Sequence, residues 1–178
     1  MTRSATANSP SLSRRVMLVV FWIFGRLPRG VRRAVIRGVS PRYTVGALCI
    51  VRRADGSVLL VRHSYNKRWG TVGGLAKRGE NPDVCAVREA REEAGIDVVL
   101  EGEPSVLVLP DLGRVDVVYL ARPAQEASAD DAAPSSAEIL ETRWFAPGEV
   151  PLLSADTASA WAALARAGLI DPPGLQST

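Results

Sequence analysis

Residues 74–96 read GLAKRGENPDVCAVREAREEAGI, and the fold is decided by the framework of Gly74, Glu80, Arg88, Glu89, Glu92, Glu93 and Gly95 within them. Five residues separate Gly74 from Glu80, and seven separate Glu80 from Arg88. Between Pro82 and Gly95 the composition predicts a helix. Asn81 suits the N-cap, Pro82 the first helical position, and Asp83 the positive end of the dipole. Gly95 supplies the stop. At spacings of three and four, Glu89, Glu92 and Glu93 share one helix face. Ala86, Val87, Ala90 and Ala94 form an adjoining face small enough to lie against a sheet. Acidic side chains so crowded repel one another unless neutralised, and an oxygen-only donor set suits a hard divalent ion.

The complete spacing, G-x5-E-x7-R-E-U-x-E-E-x-G-U with U a bulky apolar residue or Ala, resembles the signature of the Nudix hydrolases without a gap. The resemblance implies an α/β fold in which a mixed sheet lies between helices, over roughly residues 43–167. It also implies hydrolysis of a diphosphate linkage by water attack on phosphorus, with magnesium, or manganese in its place. Position by position, Glu89 and Glu93 match the principal metal ligands, with Glu92 beside them and the carbonyl of Gly73 as a further ligand. Arg88 and Glu80 match a pair that orients those carboxylates, the supporting role that metal sites need. The family often places a further acid on a later loop, as ligand or general base. Glu138, six residues before Trp144, is the first choice for it and Glu141 the second; both also read as ordinary loop carboxylates. One departure is visible: many members have Pro-Gly-Gly where this chain has Val72-Gly73-Gly74. Both glycines, which permit close backbone approach, are intact.

The box specifies the reacting bond rather than the group attached to it. Candidates for substrate contact are Arg62, Tyr65, Arg68 and Trp69, ahead of the box, together with Gly74. The aromatic pair suits stacking on a base and the arginines suit phosphate, although Trp69 equally suits packing in the core. Pro110 lies close to a proline position of relatives that cleave ADP-ribose. The substrate class implied is a nucleoside diphosphate linked to another group, including nucleoside triphosphates and ADP-ribose. The alternative is a nucleotide-binding or regulatory module without catalysis, which would not need every glutamate.

A chain of 178 residues with 47% hydrophobic content supports one core. Its net charge of +3 is unevenly distributed. Nine Arg and no Asp or Glu occur through residue 42, so the remainder carries a net −6. Cys49 and Cys85 are far apart and lack metal-ligand spacing, which fits a reduced, cytoplasmic setting. His63 is the only histidine; it follows the strand over 57–62 and could face a substrate, although a solitary polar residue at a strand end more often has no such role. No Ser-His-Asp or Cys-His mechanism can be assembled from this inventory.

Three segments follow: a basic, partly apolar extension over 1–42, a catalytic domain over 43–167 and a tail over 168–178. Residues 1–13 read as disordered. Val16–Phe24 is an apolar run too short to span a bilayer, with the basic front of a secretory signal but no cleavage site after it. Residues 29–39 read as a basic amphipathic helix. The extension carries three readings, in this order: a cover for the catalytic domain or a partner subunit, a peripheral contact with an anionic membrane, or an uncleaved signal. Specific nucleic-acid binding is not expected, because clustered arginines alone discriminate little. Nothing in the residues fixes the oligomeric state. Within the domain, strands are expected over 44–52, 57–62, 98–100, 106–109 and 114–120. A short strand begins at Trp144, and a last helix covers 154–167.

Overall fold

A computed structural model describes residues 12–171. Contacts divide the chain between Arg42 and Tyr43 into two units. The first holds helices α1 (Leu12–Arg26) and α2 (Arg29–Val39), neither of which buries a residue. The expectation of disorder over 1–13 falls mostly outside the described residues; Leu12 and Ser13 begin α1.

The second unit contains β1 (Thr44–Val51), β2 (Val58–His63), β3 (Val72–Leu75), α3 (Pro82–Ala94), β4 (Val98–Leu109), β5 (Arg114–Pro123), β6 (Ile139–Phe145) and α4 (Ala155–Arg166). A mixed four-stranded sheet runs β3-β1-β5-β4, with β1 and β5 parallel and the other pairs antiparallel. β2 and β6 form a separate antiparallel pair. The alternation of side chains along a strand builds two cores from the same strands. Ala47, Cys49 and Val51 of β1 join Leu59, Val61, Tyr119 and Ala121 against Ala86, Ala90 and Ala94 of α3. On the opposite face Ile50, Leu60, Val118 and Leu120 meet Trp161 and Leu164 of α4. The sheets therefore lie between α3 and α4, the mixed α/β architecture expected from the sequence.

Three elements differ from their sequence reading. β3 is not among the strands expected, and Gly73 and Gly74 carry little strand propensity; pairing with β1, in which Leu48 faces Gly73, makes it a strand. The two runs expected at 98–100 and 106–109 are one strand, carried through Glu101–Ser105 by a shift in its register with β5 and by Gly102 at φ 63°. β6 begins at Ile139, before the aromatic pair, because β2 supplies its partners from His63 back to Val58.

Candidate active site

α3 begins and ends as its residues dictate. Pro82 opens the helix and Gly95 closes it at φ 65°, a left-handed turn that favours glycine. Asn81 occupies the N-cap position, but its side chain makes no capping hydrogen bond; its carbonyl accepts from the Cys85 N–H at 3.0 Å. The small face of α3 packs so closely on the sheet that Ala86, Ala90 and Ala94 are fully buried. Close packing brings Glu89 and Glu93 onto β3.

Glu93 is buried, and its Oε2 accepts the Gly73 N–H at 3.0 Å. Glu89 lies against the next residue: a Cβ on Gly74 would sit 2.5 Å from Glu89 Oε1. A Cβ on Gly73 would meet the Ala47 carbonyl oxygen, and its φ of 153° also favours glycine. The two glycines therefore make the room into which the two carboxylates are laid. Burial pushes the Glu89 carboxyl up, against the pull of Arg88, and the charges of Glu93 and Glu92 add to the rise.

Arg88 organises this group. Its Nε and Nη2 donate to both oxygens of Glu80 at 2.7 and 2.9 Å, while Nη1 donates to Glu89 at 2.7 Å and to Glu92 at 2.9 Å. The Lys77 N–H also donates to Glu80 at 2.7 Å. These hydrogen bonds, those from Arg88 foremost, hold the Glu80 carboxyl down at about 2. The same bonds, Glu80's first, raise the guanidinium further above its already high value, so it stays charged. Glu92 shares Arg88 Nη1 with Glu89. Half-exposed, it pairs with Arg88 and faces Lys77 Nζ at 3.6 Å.

Among the described residues no group of three or more His, Cys, Asp or Glu side chains is gathered to cage a metal. Magnesium does not require one. It binds through one or two carboxylates and completes its shell with water and substrate phosphate. Glu89 and Glu93, negatively charged neighbours of which one is already penalised by burial, fit that demand, and they lie against the glycines of β3.

The substrate candidates separate. Tyr65 lines a cavity of about 240 Å³ with Gly73, Gly74, Asp116 and Asp156. Its hydroxyl is pushed up by desolvation first and then by the charges of Glu93, Glu138 and Asp156. Glu138 is thus within electrostatic reach of the site, in an exposed position beside a backbone bond from Ser64 N–H to the Glu138 carbonyl at 2.8 Å. Trp69 packs edge-on against Phe145 at 4.8 Å between ring centres, which assigns it to the core rather than the cavity. Arg62 pairs across the ladder with Glu141 at 2.7 Å, which withdraws both from the box. Arg68 is exposed and does not line the cavity.

Two further residues join the site. His63 Nε2 lies 3.4 Å from Glu93 Oε1, with the Tyr65 ring 5.1 Å away. No periodicity marked it; the ladder irregularity at Arg62/His63 turns it inward. Asp116 is buried at the cavity floor, 2.9 Å from Arg114, which bridges on to Asp156 at 2.8 Å. Burial raises the Asp116 carboxyl, with Arg114 opposing. Gly46 makes its place, since a Cβ there would collide with Asp116 Oδ1. A signal existed: Asp116 occupies the same strand face as Val118 and Leu120, where an acid is out of place.

The family model of the NUDIX domain matches residues 42–166. The chain belongs to the Nudix hydrolase family. This Nudix chain is 29% identical over 110 residues to a MutT-like protein of Streptomyces ambofaciens, covering 62% of this chain and 68% of the relative. It is 28% identical over 110 residues to a putative 8-oxo-dGTP diphosphatase of Bacillus subtilis, covering 62% and 71%. Among solved structures, a NUDIX hydrolase from Nitrosomonas europaea superposes with a TM-score of 0.62 at 23% identity, over 77% of this chain and 78% of that one. That likeness supports the fold. Nudix chemistry generally uses a divalent cation.

Proposed function

We propose that this Nudix site hydrolyses the diphosphate linkage of a nucleoside diphosphate joined to another group, of the nucleoside triphosphate or ADP-ribose type, in a reduced cytoplasmic setting. The observation that carries the reading is the pair Glu89 and Glu93, laid against Gly74 and Gly73 and oriented by the Arg88–Glu80 fork. These two carboxylates and the Gly73 carbonyl would hold magnesium, or manganese, which when bound neutralises the diphosphate and lowers the pKa of a coordinated water. Arg88 fixes Glu89, and Glu80 fixes Arg88. Glu93 is fixed by the Gly73 N–H and faced by His63. Tyr65 offers a ring to the nucleoside side of the cavity, and Glu138 is the acid available as general base. Buried, thiol-form Cys49 and Cys85 are consistent with the reduced setting.

The test is a panel of nucleoside triphosphates, nucleotide sugars and ADP-ribose incubated with the full chain, with and without magnesium. Phosphorylated products are expected only with the metal, and Glu93→Gln should lower kcat by at least about 10²-fold. Turnover that survives both chelation and this substitution would overturn the proposed chemistry.

A further inference from the structure

The first 42 residues take no part in the box, yet their pattern is as particular. Val16–Phe24 of α1 is nine apolar residues without interruption. At 100° per residue such a run covers every side of the helix. Val16 to Ile23 are each between 50% and 63% exposed. In α2, Val31, Val35 and Val39 recur every fourth residue and are also exposed. Arg29, Arg33 and Arg37 recur with the same step on the opposite side.

We infer that α1 and α2 form a monotopic anchor that lies in the surface of an anionic lipid bilayer. A single protein groove covers one stripe of a helix, whereas a helix apolar all round needs apolar surroundings on every side, a protein core or lipid, and the flanking arginines favour lipid. The run is about 14 Å long at 1.5 Å per residue, well short of the roughly 30 Å hydrocarbon core. No helix among the described residues is long and apolar enough to cross a membrane. Arg14 and Arg15 precede the run and Arg26 follows it, so both ends of α1 are held at headgroup level and the helix lies along the surface. The Arg26 guanidinium sits 3.5 Å over the Trp22 ring, an aromatic–cation pair suited to the interface. Charge selects the lipid: nine arginines and no acid through residue 42 complement an anionic leaflet, while the remaining residues, at net −6, are repelled by it. Attachment therefore runs through the extension alone. RNA would satisfy the arginines but leave nine apolar residues in water.

The experiment is flotation of the full-length chain with vesicles of phosphatidylcholine, or of phosphatidylcholine with phosphatidylglycerol. Flotation is expected with the anionic vesicles. Each arginine lost should weaken it about fivefold, so Arg32→Gln with Arg33→Gln costs about twenty-five-fold. Phe21→Glu should stay at the bottom of the gradient, with the melting temperature of the catalytic domain unchanged as a check on folding. Brominated acyl chains should quench the wild-type fluorescence but not that of Trp22→Phe. Absence of flotation with either vesicle overturns the inference. So does equal flotation of Phe21→Glu, or quenching that persists without Trp22. Retention on RNA without flotation would assign the arginines to nucleic acid instead.

Discussion

Gly74→Ala isolates the seating of one carboxylate from the folding of the chain. The backbone at Gly74 lies outside the left-handed region, so alanine adopts it without strain. The added Cβ would fall 2.5 Å from Glu89 Oε1 and 2.7 Å from its Cδ, whereas ordinary contact begins at 3.4 Å. Glu89 must therefore retreat by about 0.9 Å. It can do so because the obstacle is the end of a flexible side chain, and its 2.7 Å bond from Arg88 lengthens or breaks in the process. A misplacement of ~1 Å at a reacting centre lowers the rate by ~10², which is about 2.7 kcal/mol of barrier. Stability should change by less than ~1 kcal/mol, since the alanine also restricts the unfolded chain. The assay is kcat at saturating magnesium and nucleotide, alongside thermal melting. Gly73→Ala is the contrast: its Cβ meets backbone, the Ala47 carbonyl and Leu48 Cα at 2.9 Å, on a φ of 153°. That variant should lose stability by about 1–3 kcal/mol or more. Wild-type kcat and wild-type melting in Gly74→Ala would refute the argument that Glu89 is seated by the absent side chain.

Three further outcomes follow from the same geometry. Glu80 is held at about 2 against an ordinary 4.5, so it adds stability above pH 4.5 that is lost as pH falls toward 2. The melting gap between wild type and Glu80→Gln should be constant above that window and close within it; a gap independent of pH would dismiss the fork as a stabilising pair. Leu60→Ala removes a fully buried side chain from the α4-side core and should cost about 2–5 kcal/mol in denaturant unfolding. A loss below that range would mean the cavity collapses. Burial pushes the Cys49 thiol up to about 12 and the Cys85 thiol up to about 11. Mass spectrometry after brief alkylation of the native protein at neutral pH should therefore find both unmodified, and rapid labelling of either would contradict its burial.

Local chemistry made much of this protein readable in advance. The start and stop of α3 follow from Pro82 and Gly95, its small face from the alanine spacing, the strands β1 and β2 from short apolar runs, and β5 from alternating apolar residues. The box itself is a local pattern, because a helix and the turn before it fix the relative positions of Glu80, Arg88, Glu89 and Glu93. The strand character of β3 was hidden, since Val72-Gly73-Gly74 acquires it only from pairing with β1. Arg62 and Glu141 were hidden as a pair for the same reason: they lie 79 positions apart in the chain, and only the β2–β6 ladder sets them opposite each other.

What the sequence determined by itself is chemistry that is local in the chain: the family, the metal-suited carboxylates, the helix that presents them, and the division of charge at residue 42. Tertiary structure decided which of those groups meet. It laid Glu89 and Glu93 onto the glycines of β3 and left Glu92 half-exposed between Arg88 and Lys77. It also brought His63 to Glu93 and set Asp116 at the floor of the cavity. Spacing along a helix fixes the direction of a side chain, but what it meets there depends on strands paired across long separations, whose register no local pattern encodes.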